Sequence, residues 1–184
     1  MSAGPRDRLI DSTIDLVREQ GVHGTGLATL LERSRASRNS LYQHFPAGKS
    51  ELVRAATMVA GERMNAVLER ITAEGTARQW LDHLLNWWRK YLETTSFTAG
   101  CPVVGSALAE SEPQIQAAAA QVFEEWTALL AKALTRDGIP EDRARSLAGF
   151  LLSALEGAIV QARAMKSTRP LEDIRDQLTA LLPG

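Results

Sequence analysis

Apolar residues recur along this chain at intervals of three and four and seldom at intervals of two, the period of helices and not of strands. Leu9, Thr13, Leu16 and Val17 share one helical face, with Ile10 and Ile14 beside it, and Gly21 stops that helix. Two short helices follow, about Leu27–Arg33 and Ser37–His44, the second with Ser37 as a good N-cap and with Pro46 and Gly48 beyond its end. The pattern then predicts helices over about Lys49–Ile71 and Thr76–Thr95, a loop at Phe97–Pro102, and a short helix over Val104–Ser111. Gln114–Arg136 and Glu141–Ser167 are two long helices separated by Asp137-Gly138-Ile139-Pro140, a strong turn signal. Pro170 opens a last helix that runs to Leu182. The expectation is an all-α protein of about nine helices.

Composition narrows the class. The chain has 184 residues, of which 45% are hydrophobic and 23% charged, ordinary proportions for one or two globular domains. A single cysteine excludes an internal disulfide framework and fits a reducing compartment, so a cytoplasmic location is expected. The first residues lack the apolar core of a signal peptide. No apolar run of spanning length is evident, so no membrane partner is expected. With 21 Lys+Arg against 22 Asp+Glu, the net charge of −1 excludes nucleic-acid binding by bulk charge, but not by a local basic face. Such a face has a location. Residues 1–54 carry eight cations against six anions, and the remainder thirteen against sixteen.

The two short helices have the proportions of a helix-turn-helix. On the second, Leu41 and Phe45 point one way, toward Leu30 and Leu31, and leave Asn39 and Gln43 outward, flanked by Arg38, Ser40 and Tyr42. Such side chains suit a major groove: Arg pairs with guanine, Asn or Gln with adenine, and Ser permits close approach. A solvated polar helix face is the competing reading.

The run from Ser37 through Leu41-Tyr42-Gln43-His44-Phe45-Pro46-Ala47-Gly48-Lys49 to Leu52, preceded by Thr25-Gly26-Leu27, resembles the signature of the TetR/AcrR family of transcriptional regulators. Pro46-Ala47-Gly48-Lys49 and Gly100-Cys101-Pro102-Val103-Val104 are similar to its multidrug- and flavonoid-responsive repressors. The resemblance implies a three-helix DNA-binding domain over 1–48 and a helical ligand-binding and dimerisation domain over 49–184. It implies base reading by Arg38, Asn39, Ser40 and Gln43, and phosphate contacts from Thr25, Ser37, Tyr42, His44 and Lys49. For Lys49 there is a separate physical argument: a lysine in the first turn of a helix opposes the macrodipole unless an anion lies near. The sequence departs from the family pattern where Arg35 and Asn39 stand in place of Gly, and where Gly26 replaces a second Thr.

Symmetric dimers reading two half-sites gain affinity and specificity. Leu147, Leu151, Leu155 and Ile159, with Ala158 and Ala162 beside them, form a stripe suited to a helical dimer interface, or to intrachain core. Trp80, His83, Leu84, Trp87, Trp88, Tyr91, Phe123 and Trp126 gather large side chains with few polar groups; they suit either packed core or a pocket for a small hydrophobic or aromatic ligand. Cys101 has no activating motif, and His23, His44 and His83 have no metal-ligand spacing, so neither enzyme chemistry nor a cofactor nor a metal is expected. The expected function is a homodimeric repressor released from a palindromic double-stranded operator by a small hydrophobic molecule. An all-α protein-interaction dimer, or a redox-responsive protein acting through Cys101, is the alternative.

Overall fold

The computed structural model describes residues 4–182, which form nine helices and no strand among the described residues. They are α1 (Pro5–Gly24), α2 (Leu27–Ser34), α3 (Arg38–His44), α4 (Lys49–Thr72), α5 (Ala77–Thr94), α6 (Pro102–Ala107), α7 (Pro113–Arg136), α8 (Glu141–Met165) and α9 (Arg169–Leu181). Their contacts divide into two compact units. One holds the residues up to Arg63 with Cys101–Val122; the other holds Met64–Gly100 with the residues from Phe123 onward.

In the first unit, Leu9, Ile10, Ile14 and Leu16 of α1 pack with Leu30 of α2, Leu41 and Phe45 of the α3 segment, and Leu52, Ala56 and Ala60 of α4. Each large apolar side chain so covered stabilises the unit by about 1.5–3 kcal/mol. α6 lies against α1 closely enough that a Cβ on Gly105 would stand 3.1 Å from the Val17 carbonyl oxygen. Gly61 of α4 meets Val122 of α7 more tightly still: a Cβ there would lie 2.5 Å from the valine Cγ2. The Thr57 and Ser106 hydroxyls share a buried hydrogen bond of 2.7 Å.

Most boundaries fall within one or two residues of the sequence reading, and two differences have a clear cause. Gly21 does break α1, with φ 71° and ψ 178°, but one further helical turn follows it to Gly24. α6 spans Pro102–Ala107 and not Val104–Ser111, because Pro102 takes the first helical position, where a missing N–H removes nothing.

In the second unit, α5 buries Trp80, Leu81, Leu84, Leu85, Trp88 and Leu92 on one face, and the Gln79 Oε1 at its start accepts the Thr76 N–H at 2.9 Å. α9 packs on both α8 and α5, and Arg175 ties it to Asp82 at 3.1 Å and to Asn86 at 2.8 Å. α8 corrects the expectation that no apolar run reaches spanning length. An 18-residue window within it has a mean hydropathy of 1.3, long and apolar enough to cross a membrane by length and composition, and 39% of that window is buried. The reason is that α8 is apolar on two sides. One side is the unit's core; the other carries Phe150, Val160 and Met165, all more than half exposed.

Candidate nucleic-acid interface and interior cavity

α3 is short, and its anchoring decides what it can present. Leu41 and Phe45 are 1% and 2% exposed, which fixes the rotation of the helix. Arg38, Asn39, Tyr42 and Gln43 are consequently exposed, and Ser40 and His44 half-buried. The sequence-predicted readers are therefore brought together on one open face. Ser37 is also exposed; its Oγ accepts the Ser40 N–H at 3.1 Å, which leaves the hydroxyl proton available to an acceptor such as a phosphate.

The turn before α3 is held from outside. The Arg8 Nε donates to the Ser34 carbonyl at 3.1 Å, and Arg33 pairs with Glu19 at 2.7 Å. Arg35 adopts the left-handed conformation, φ 51° and ψ 41°, a state that disfavours a residue with a Cβ by about 1–2 kcal/mol. Past α3, Gly48 (φ 78°) makes the turn into α4, and a Cβ there would crowd the Tyr42 ring at 3.3 Å.

Two of the expected phosphate contacts stand differently. Thr25 is fully buried, and its hydroxyl donates to the Gly21 carbonyl at 2.7 Å, so a phosphate is met there only if that bond opens. Lys49 is half-buried, with Nζ donating to the Val22 carbonyl at 3.0 Å. Burial lowers its pKa, a shift opposed by the charge of Glu112. Glu112 in turn accepts a hydrogen bond from the Ser50 hydroxyl at 2.9 Å. The first residues of α4 are thus tied both to the end of α1 and to the turn before α7. Sequence reasoning missed this latch, because its partners lie 27 and 62 residues apart.

In the second unit, a cavity of about 30 Å³ is lined by Met64, Leu68, Trp80, Leu84, Trp88, Trp126, Leu155 and Glu156, among others. That is room for about one water. Of the aromatic set singled out in the sequence, Trp80, Leu84, Trp88 and Trp126 reach this cavity. Phe123 meets Trp126 edge-on at 5.7 Å, and Tyr91 stacks on the partly exposed Trp87 at 5.6 Å. His83 faces a separate open cleft with Arg70, Gly75 and Gln79. Cys101 is buried just before α6.

The stripe expected from the sequence at a dimer interface faces inward. Leu147, Leu151, Leu155, Ala158, Ile159 and Ala162 are all under 9% exposed within their own chain, so a partner could cover almost nothing more of them. The exposed side of α8 is the neighbouring stripe, Ser146, Phe150, Ser153, Gly157, Val160 and Ala164. Its three- and four-residue spacing is present in the sequence, one or two positions away from the inward set.

The model for bacterial regulatory proteins of the tetR family matches residues 9–56, and that for the C-terminal domain of LmrA/YxaF-like transcriptional regulators matches residues 77–177. An HTH-type transcriptional regulator of Mycobacterium tuberculosis is 39% identical over 97% of this chain and 94% of its own. The chain belongs to the TetR family. Its members here are transcriptional regulators, not enzymes, and the helix-turn-helix of α2 and α3 is the family's DNA-binding element. The HTH-type transcriptional regulator LmrA of Bacillus subtilis is 28% identical over 96% of both chains. CifR, a TetR-family regulator crystallised with a 26-base-pair operator duplex, is 25% identical, with a TM-score of 0.80 and complete coverage of both chains. A TetR regulator from Legionella pneumophila, 20% identical, superposes with a TM-score of 0.87 over 99% of each chain, which establishes the TetR fold.

Proposed function

We propose that the protein is a homodimeric, ligand-responsive repressor whose two copies of α3 enter successive major grooves of a palindromic operator. The observation that carries this reading is the open face of α3, where Arg38, Asn39, Ser40, Tyr42, Gln43 and His44 are turned away from the Leu41 and Phe45 anchor. On this reading residues 1–48 bind DNA, residues 49–184 bind ligand and form the dimer, and the protein works in the cytoplasm. The likeness to CifR, which is crystallised on operator DNA, supports it. The exposed stripe of α8 supports pairing with a second copy: Gly157 and Ser153 let another helix approach, and Phe150 and Val160 supply apolar area.

The ligand is a small hydrophobic or aromatic molecule that enlarges the cavity between Trp80, Trp88 and Trp126. α4 carries Lys49 at its first residue and Met64 and Leu68 in the cavity wall, so a ligand that shifts the wall acts on the helix that enters the DNA-binding region. Selection of duplexes from a random-sequence library tests the reading. A palindrome should emerge, and Asn39→Ala and Gln43→Ala should each weaken it by about 1–3 kcal/mol at particular base pairs. A thermal-shift screen of planar apolar compounds supplies the inducer, since a ligand at 100 times its Kd adds about 2.7 kcal/mol. Ligand affinity that is the same with and without the selected duplex would refute the repressor mechanism.

A further inference from the structure

Among the described residues, four non-glycine residues have positive φ: Arg35, Ser96, Phe97 and Lys166. Two of them are cations ending a helix, Arg35 after α2 and Lys166 after α8. For Lys166 the chain itself gives a reason, because its Nζ donates to the Phe97 carbonyl at 3.2 Å. Arg35 has no such reason. Its backbone N–H completes the end of α2, a role any residue fills, and Gly fills it without strain. Its side chain is exposed and makes no ion pair or hydrogen bond among the described residues.

The neighbouring cations sharpen the contrast. Arg8 is bonded to the Ser34 carbonyl, and Arg33 is paired with Glu19; the work of neutralising the end of α2 is therefore done by others. Arg35 and Arg38 are left as two guanidiniums three positions apart with no partner among the described residues, on either side of the exposed Ser37 cap. When the N-terminal residues of a recognition helix reach base edges, the preceding turn lies beside the sugar-phosphate backbone at the groove's rim. A guanidinium is always charged and forks onto phosphate oxygens.

We propose that Arg35 is a DNA-phosphate contact, held in a strained turn residue where glycine would fold more easily. This rests on the reading of α3 as the recognition helix. The contact is sequence-independent, adding affinity and salt dependence but no base preference.

Strain and charge are separable by substitution. Arg35→Gly removes both; Arg35→Gln keeps the strain and removes the charge; Arg35→Lys keeps both. The full-length proteins are titrated against a duplex enriched from a random library on the wild type, across 50–200 mM salt, and melted without DNA. Loss of the contact lowers the slope of log K on log salt by about 0.9 for each bound copy. With two copies bound, the wild type should lose about twelvefold more affinity over that range than Arg35→Gly or Arg35→Gln. Arg35→Lys should keep the wild-type slope, and Arg35→Gly should melt at or above the wild-type temperature. A wild-type slope in Arg35→Gly and Arg35→Gln overturns the assignment, as does an Arg35→Gly protein that melts well below the wild type. Arg38→Ala and Asn39→Ala separate the two levels: if they also bind as the wild type does, the recognition-helix reading has failed. If they weaken binding and the Arg35 variants do not, only the Arg35 contact has failed.

Discussion

Phe150→Ser tests whether the outward side of α8 is the face that joins two copies. Phe150 keeps 54% of its surface exposed within its own chain. An aromatic side chain buries about 150–250 Å² when covered, so roughly 80–130 Å² of Phe150 is left for a partner. At about 25 cal/mol per Å² this amounts to about 2–3 kcal/mol per copy. A two-fold interface uses the residue twice, giving about 4–6 kcal/mol, or a dimer weakened by about a thousandfold to ten-thousandfold. Sedimentation equilibrium over a wide concentration series reads the association, and circular dichroism reads the helix content of the dilute protein. The substitution should leave that helix content intact, because more than half of the side chain lies outside the chain's own packing. Leu155→Ala, 5% exposed and in the cavity wall, should behave oppositely, destabilising the chain by about 2–5 kcal/mol. Should Phe150→Ser associate as tightly as the wild type, the outward stripe is not the interface and the reasoning from exposure fails.

Three further outcomes follow from particular contacts. Ser37→Ala removes the acceptor for the Ser40 N–H and should lower stability by about 1 kcal/mol in a urea titration. Gly61→Ala places a methyl 2.5 Å from the Val122 Cγ2, and overpacking of that kind should cost about 1–3 kcal/mol; an unchanged midpoint would mean that α4 and α7 separate freely there. Lys49 is held by burial below its ordinary pKa of 10.5, so the unfolded chain binds that proton more tightly than the folded one. Wild-type stability relative to Lys49→Met should therefore rise as pH rises toward 10.5, and thermal melts of the pair at about pH 7 and pH 10 read the sign.

Much of the first unit was legible because its signals are local. Ser37 caps the helix it precedes, Pro46 and Gly48 end what they follow, and the Leu41 and Phe45 spacing fixes which side of α3 is free. That Arg35 stands where the family pattern has Gly was also visible, but whether it takes the left-handed conformation or the turn differs was decided only by the structure. What the sequence withheld was long-range. The packing of Cys101–Val122 with the N-terminal helices, the hold of Val22 on Lys49, and the Ser50–Glu112 bond join residues that no short-range pattern links. In α8 the difficulty was one of phase. Two adjacent stripes are both apolar or small, and hydrophobicity alone does not say which one turns inward; the aliphatic Leu147–Ile159 set does. The tryptophans were conspicuous, but the volume between them depends on packing at the ångström scale.

That volume sets a threshold. On the ligand-responsive reading proposed above, a chamber with space for about one water must widen before it holds a guest, so the guest binds only to a more open form. Its apparent affinity is divided by the fraction of time that form exists. If the protein is ligand-responsive as proposed, scarce or briefly present compounds go unregistered, and a response begins only once a guest is abundant enough to hold the walls apart.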